Sequence, residues 1–149
     1  DIFGLATQYY YTDRDGSDTT DLFGVKGNLN IGKASILVAY TTTGDEYVYA
    51  GLGNGADYAY TGSVILSDTY AANSDAYKLG VSYKITPALN VGMSYVLDDQ
   101  DEVKYSYRSV TADYTFSGAV KGLNLAILYD DAGRDSEDEE LRINVNYPF

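Results

Sequence analysis

Residues 130–140, DDAGRDSEDEE, carry seven carboxylates: Asp130, Asp131, Asp135, Glu137, Asp138, Glu139 and Glu140. Crowded carboxylates repel one another unless cations neutralise them, and calcium or magnesium takes oxygen ligands of this kind. Their spacing lacks the EF-hand pattern, so a solvated loop is the plainer expectation, with divalent cations at the acidic loops left open. The chain has no His and no Cys, which removes the usual zinc ligands and the commonest general base. Ser67 beside Asp68 therefore has no ordinary triad around it. The glycine-rich run GLGNG at 51–55 has neither a following Lys nor a strand–helix context, so it is not read as a phosphate loop. No catalytic residue, metal site or resident cofactor is expected. Ten Lys plus Arg against 22 Asp plus Glu give a formal net charge of -12, a poor match to nucleic-acid phosphates.

The elements that carry these residues read as strands. Period two dominates, and no stretch has a helical period. Eight strands are predicted. They cover about Ile2–Thr12, Leu22–Ile31, Ala34–Thr43, Tyr77–Ile85, LNVGMSYVL at 89–97, Val103–Ser117, LNLAILYD at 123–130, and ELRINVNYPF at 140–149. In each, apolar and polar residues take turns. Leu79, Val81, Tyr83 and Ile85 oppose Lys78, Gly80, Ser82 and Lys84. Leu89, Val91, Met93 and Tyr95 oppose Asn90, Gly92 and Ser94. Leu141, Ile143, Val145, Tyr147 and Phe149 oppose Arg142, Asn144 and Asn146.

The connections alternate in kind. Short ones are expected at Gly32-Lys33, 86–88 and 118–122, and longer acidic ones at 13–21, 98–102 and 131–140. A further connection at about 44–76 is long for a loop. It holds Val64, Ile65 and Leu66, an apolar piece that needs shelter. Long and short loops at opposite ends, with strands of about 9–11 residues, fit a transmembrane β-barrel. No apolar run approaches the roughly 20 residues of a membrane helix. No secretion leader is recognisable, so the sequence is read as mature or excised.

Alternation alone also suits a soluble sandwich. Three features point away from one. The polar rows carry small residues and amides, such as Gly80, Ser82, Ser94, Asn28, Asn30 and Asn144. The apolar rows carry Tyr near strand ends, at Tyr40, Tyr83, Tyr95, Tyr129 and Tyr147, where oil meets water. Loop length alternates along the whole chain. In hydrocarbon every backbone N–H and C=O must be paired, so such a sheet must belong to a closed barrel. The apolar rows are then expected to face lipid and the polar rows a lumen. Eight strands suffice either for a small plugged barrel or for part of a wider ring, and topology does not decide between them.

At this point the chain resembles the C-terminal portion of an OprD-type outer-membrane porin. The stretches that carry the resemblance are LFGVKGNLNIGKASILVAYTTTGDE, ILSDTYAANSDAYKLGVSYKI, VTADYTFSGAVKGLNLAILYDD and EDEELRINVNYPF. It covers nearly the whole chain from Leu22. The resemblance implies an all-β, antiparallel barrel of eighteen strands, of which this chain supplies eight. It also implies the outer membrane of a Gram-negative bacterium and passive passage of ions and small hydrophilic solutes; a preference for carboxylates or amino acids is an expectation from the charged rows and is not carried over from the resemblance. Outer-membrane lipids and lipopolysaccharide are the implied surroundings, and a homotrimer is a further expectation. Tyr147 and Phe149 resemble the terminal aromatic signal read by the barrel-assembly machinery. The alternative is a closed eight-stranded barrel with a structural or adhesion role and no conducting pore.

Phase assigns the inward rows. Lys26, Asn28, Lys78, Ser82, Lys84, Asn90, Ser94, Asp113, Asn124, Asp130, Arg142 and Asn144 are the expected pore-lining residues, with Glu140 in the same phase. The resemblance singles out Lys26, Lys78, Lys84 and Arg142 as the counterparts of basic residues along a channel. Mixed signs across a wet constriction would orient a zwitterionic or carboxylate solute. The plainer reading is that these charges pair across neighbouring strands.

Overall fold

Strict alternation of side chains forces an extended backbone, and turn residues break it at regular intervals. The computed structural model describes residues 2–13, 18–48, 59–65, 71–101, 103–133 and 138–147. Among them are eight strands: β1 (Phe3–Thr12), β2 (Thr20–Ile31), β3 (Ala34–Thr43), β4 (Ser74–Lys84), β5 (Leu89–Gln100), β6 (Val103–Thr115), β7 (Asn124–Ala132) and β8 (Glu139–Asn146). Among the described residues the one helical element is a 3-10 turn, Gly118–Val120. Each strand pairs antiparallel with its chain neighbours, giving one sheet in sequence order. Among the described residues β1 and β8 do not pair with each other. The small closed barrel left open by the sequence is therefore not what these strands form.

One end of the sheet carries tight turns. Gly32 has φ +60° between Ile31 and Ala34, a left-handed conformation that costs glycine least. At 85–88 the Thr86 hydroxyl accepts the amides of Ala88 (3.2 Å) and Leu89 (3.0 Å), a side-chain mimic of a backbone turn. At the third turn the Phe116 amide donates to the Leu123 carbonyl at 2.8 Å.

The opposite end departs from expectation at 98–102. Residues 98–100 are not loop. They extend β5 to Gln100, and β6 begins at Val103. The reason is that these carboxylates have partners. Asp98 is buried and accepts from the Ser74 hydroxyl and from Gln100 Nε2 (2.7 Å). Asp99 pairs with Lys104 at 2.6 Å. Asp101 takes φ 47°, which Asp tolerates better than most residues. Smaller shifts occur elsewhere. β4 starts at Ser74 rather than Tyr77, β6 stops at Thr115, and β7 continues to Ala132.

The register fixes the two faces. One row runs Lys26–Ala39–Lys78–Val96 across β2 to β5. The next runs Asn28–Leu37–Gly80–Ser94–Ser109–Asp130–Glu140 across β2 to β8. The other face exposes Val38 (53%), Leu79 (53%), Met93 (66%), Val110 (54%) and Ile143 (60%). A sandwich would bury these residues against a second layer, and among the described residues no second sheet covers them. The buried apolar cluster lies instead on the polar-row side, where Leu22, Val48 and Ala59 pack together beside Tyr10.

Candidate functional site

Residues 59–65 lie across the face that carries the polar rows. At one end the Tyr60 amide donates to Gln8 Oε1 at 2.7 Å, and the Tyr60 hydroxyl donates to the Thr7 carbonyl at 3.1 Å. The Thr61 hydroxyl bonds to that of Thr41. In the middle Lys78 Nζ donates to the Gly62 carbonyl. At the far end the Ser63 hydroxyl and the Ile65 amide both donate to Asp130 Oδ2 at 2.6 Å, and the Val64 amide reaches Ser109 Oγ at 3.5 Å. The segment thus joins β1 to β7 across the five strands between them.

A hollow of about 190 Å³ lies under this segment, bounded among others by Leu37, Val64, Lys78, Gly80, Gly92 and Thr111. Its floor depends on small residues. A Cβ on Gly92 would come within 2.8 Å of Thr111 Oγ1, and one on Gly80 would sit 3.5 Å from Leu37.

All twelve residues assigned by phase to the inward rows fall on this face. They do not form one cluster. Lys26 places its ammonium 4.1 Å from the centre of the Tyr60 ring, a cation–π geometry. Lys78 is held by Gly62, and Arg142 pairs with Glu140 at 2.9 Å. Lys84 is exposed near the tight-turn end, one strand removed from Asp113 through Asn90. Asp130 is fully buried beneath the segment rather than standing in the acidic loop where composition also placed it. Asn28, Ser82, Ser94, Asn124 and Asn144 furnish small polar surface between these charges.

Three residues that grip the segment were not among the sequence-based candidates: Gln8, Thr41 and Ser109. All three lie in the correct phase, and that was the signal available. Which of them would meet residues 59–65 depends on how a distant loop folds back. Ser67, Asp68, the GLGNG run, Leu66 and Phe149 lie outside the described residues. Tyr147 follows β8 and is 47% exposed.

The apolar face carries aromatic residues toward the strand ends. Tyr40 and Tyr77 pack with ring centres 5.1 Å apart, and the Tyr40 hydroxyl donates to Asp75 at 2.6 Å. The Tyr129 hydroxyl donates to Glu139 at 2.8 Å. Tyr114 meets Phe116 edge to face at 4.8 Å near the tight turns. The apolar bodies of Tyr40 and Tyr129 line the sheet while their hydroxyls reach the charged Asp75 and Glu139.

No family model and no curated protein matches the chain. Solved structures do. OpdK of Pseudomonas aeruginosa, crystallised with vanillate, superposes with a TM-score of 0.78 at 17% identity, covering 100% of this chain and 45% of that one. OccK10 (OpdN) of the same organism gives 0.71 at 17% identity, over 100% of this chain and 49% of its own. OccK5 (OpdH) gives 0.70 at 17% identity, over 97% and 44%. The chain spans about half the length of the structures it matches. At this identity the likeness establishes the fold: an antiparallel sheet with the course of part of those barrels.

Proposed function

We propose that this chain forms part of a wide β-barrel in the outer membrane of a Gram-negative bacterium, and that the barrel passes ions and small hydrophilic solutes without chemical conversion. One observation carries the reading. Apart from charges toward the long-loop end such as Asp75, Asp99 and Glu139, the sheet turns large apolar side chains outward, and its amides, small polar residues and most of its glycines stand on the covered face. That is the arrangement a bilayer demands of a barrel around a wet lumen. An unpaired edge strand has no water to satisfy it in hydrocarbon, so further strands complete the ring. The likeness to OpdK, described as an outer membrane protein, supports the same reading.

Within the lumen the segment 59–65 narrows the passage, and Lys26, Lys78, Lys84 and Arg142 bias it toward carboxylate or amino-acid solutes. Asp113, Asp130 and Glu140 supply the opposing sign. The solved OpdK holds vanillate, a carboxylate, which favours that class here. Lipopolysaccharide meets the barrel at its outer rim, with divalent cations bridging it to the acidic connections. The assembly machinery reads Tyr147 and Phe149, and three copies pack through the apolar exterior.

Conduction by the intact protein in planar bilayers tests the reading. Discrete current steps are expected, and neutralising Lys84 (Lys84→Gln) should shift the reversal potential in a low-salt gradient, where screening is weak. A protein that inserts yet conducts nothing would favour the structural or adhesion role instead.

A further inference from the structure

Resting on the channel reading, we propose that Asp130 is the positioning residue that pins residues 59–65 across the polar face and so sets the width left for a solute. The sheet delivers Asp130 to this position through its register, between Ser109 on β6 and Glu140 on β8. Its side chain is fully buried. A carboxylate accepts without donating, so one oxygen takes the Ser63 hydroxyl and the Ile65 amide together, both at 2.6 Å. Hydrogen bonds to an ionised acceptor are shorter and stronger than neutral ones. Ser109 holds the residue between them through the Val64 amide. Three consecutive residues of the segment are thus gripped by two adjacent strands.

Much of the rest of that face is Gly, Ser, Thr and Asn, and among the described residues only Asp98 of its other charges is buried as deeply. A buried charge is a costly choice for a wall that needs only polarity. It is justified where a firm hold on two donors is required. An amide oxygen could accept the same two donors, but without the negative charge that strengthens both bonds. Lys78 interacts electrostatically with Asp130 while binding the Gly62 carbonyl, so the positive charge assists at the neighbouring residue. At the opposite end the hydrogen-bond acceptor of the Tyr60 amide, Gln8, and the partner of Thr61, Thr41, are neutral, and the Lys26 ammonium lies over the Tyr60 ring.

These 149 residues lack Cys, so Val64→Cys, with any cysteine elsewhere in the intact protein first replaced by Ser, provides a single probe at a half-buried site. In the intact protein reconstituted into lipid vesicles, labelling by a water-soluble maleimide reports how often the segment lifts. Adding Asp130→Ala should accelerate labelling about tenfold or more, the factor by which a lost charged hydrogen bond changes a local opening equilibrium. Ser63→Ala should accelerate it less. Combining the two should be no faster than Asp130→Ala alone, because both remove the same link. An unchanged rate in Asp130→Ala overturns the pinning, and simple addition of the two effects also overturns it, pointing to general loosening. If Asp130→Ala fails to assemble, Ser63→Ala carries the test, and an unchanged rate there overturns it too. Single-channel current should rise in Asp130→Ala. Faster labelling with unchanged current overturns the claim about width. Absence of any current in the native protein defeats the channel reading instead, and the labelling comparison is indifferent to that.

Discussion

At the scale of single residues, environment decides more than residue type. Lys26, Lys78 and Lys84 share a face, yet one sits against an aromatic ring, one binds a carbonyl and one is exposed. A ladder of equivalent cations is therefore a poor description of this wall, and the exposed Lys84 is the one free to meet a passing ion. The apolar face offers a sharper test. Ile127 is 41% exposed and stands between Ala112 and Ile143 in the register. Ile127→Arg should lower the free energy of folding into lipid vesicles by about 2–4 kcal/mol, the depth-dependent cost of Arg on a lipid face. Asn90→Ala, on the opposite face, should cost much less. Urea-dependent folding into vesicles measures both, and equal tolerance would reverse the assignment of faces.

At the scale of elements, the close approaches are glycine's work. A Cβ on Gly24 would lie 2.8 Å from Gln8 Cγ and 3.0 Å from Thr41 Cγ2. Both neighbours hold residues 59–65, so the β2 glycine makes room for two anchors at once. Gly24→Val should destabilise the folded protein by about 1–3 kcal/mol, the usual penalty for overpacking, and should make Tyr60 more accessible to iodination. Unaltered stability would mean that Gln8 and Thr41 have slack the geometry does not show. Strand positions and phases were legible in the sequence because a period of two leaves little choice: β3 was located to the residue, and the twelve residues expected inward share one face of the sheet. What could not be read was the behaviour of charged stretches. Asp98 and Asp99 look like loop residues, but each has a partner, Ser74 or Lys104, that keeps it within a ladder. Those partners lie several to many residues away, beyond the reach of local pattern. The path of 59–65 was hidden for the same reason. Its anchors, Gln8 and Asp130, are separated by nearly the whole chain.

At the scale of the molecule, two ladders stand open. β1 and β8 each pair on one side only among the described residues, leaving alternate amides without a partner. In the 149-residue chain taken alone in detergent, those amides should exchange with deuterium orders of magnitude faster than the amides of β4 and β5, which are paired on both sides. Uniform protection would reveal a partner at the edges. The pairing scheme has a further consequence. Since every strand touches only the strands next to it in sequence, no described ladder spans a hairpin. Inserting or deleting a two-strand unit would change the circumference of the ring while leaving the remaining pairings intact. Pore calibre in such a design is a matter of counting, adjustable two strands at a time, and a duplication within the gene would suffice to take the step.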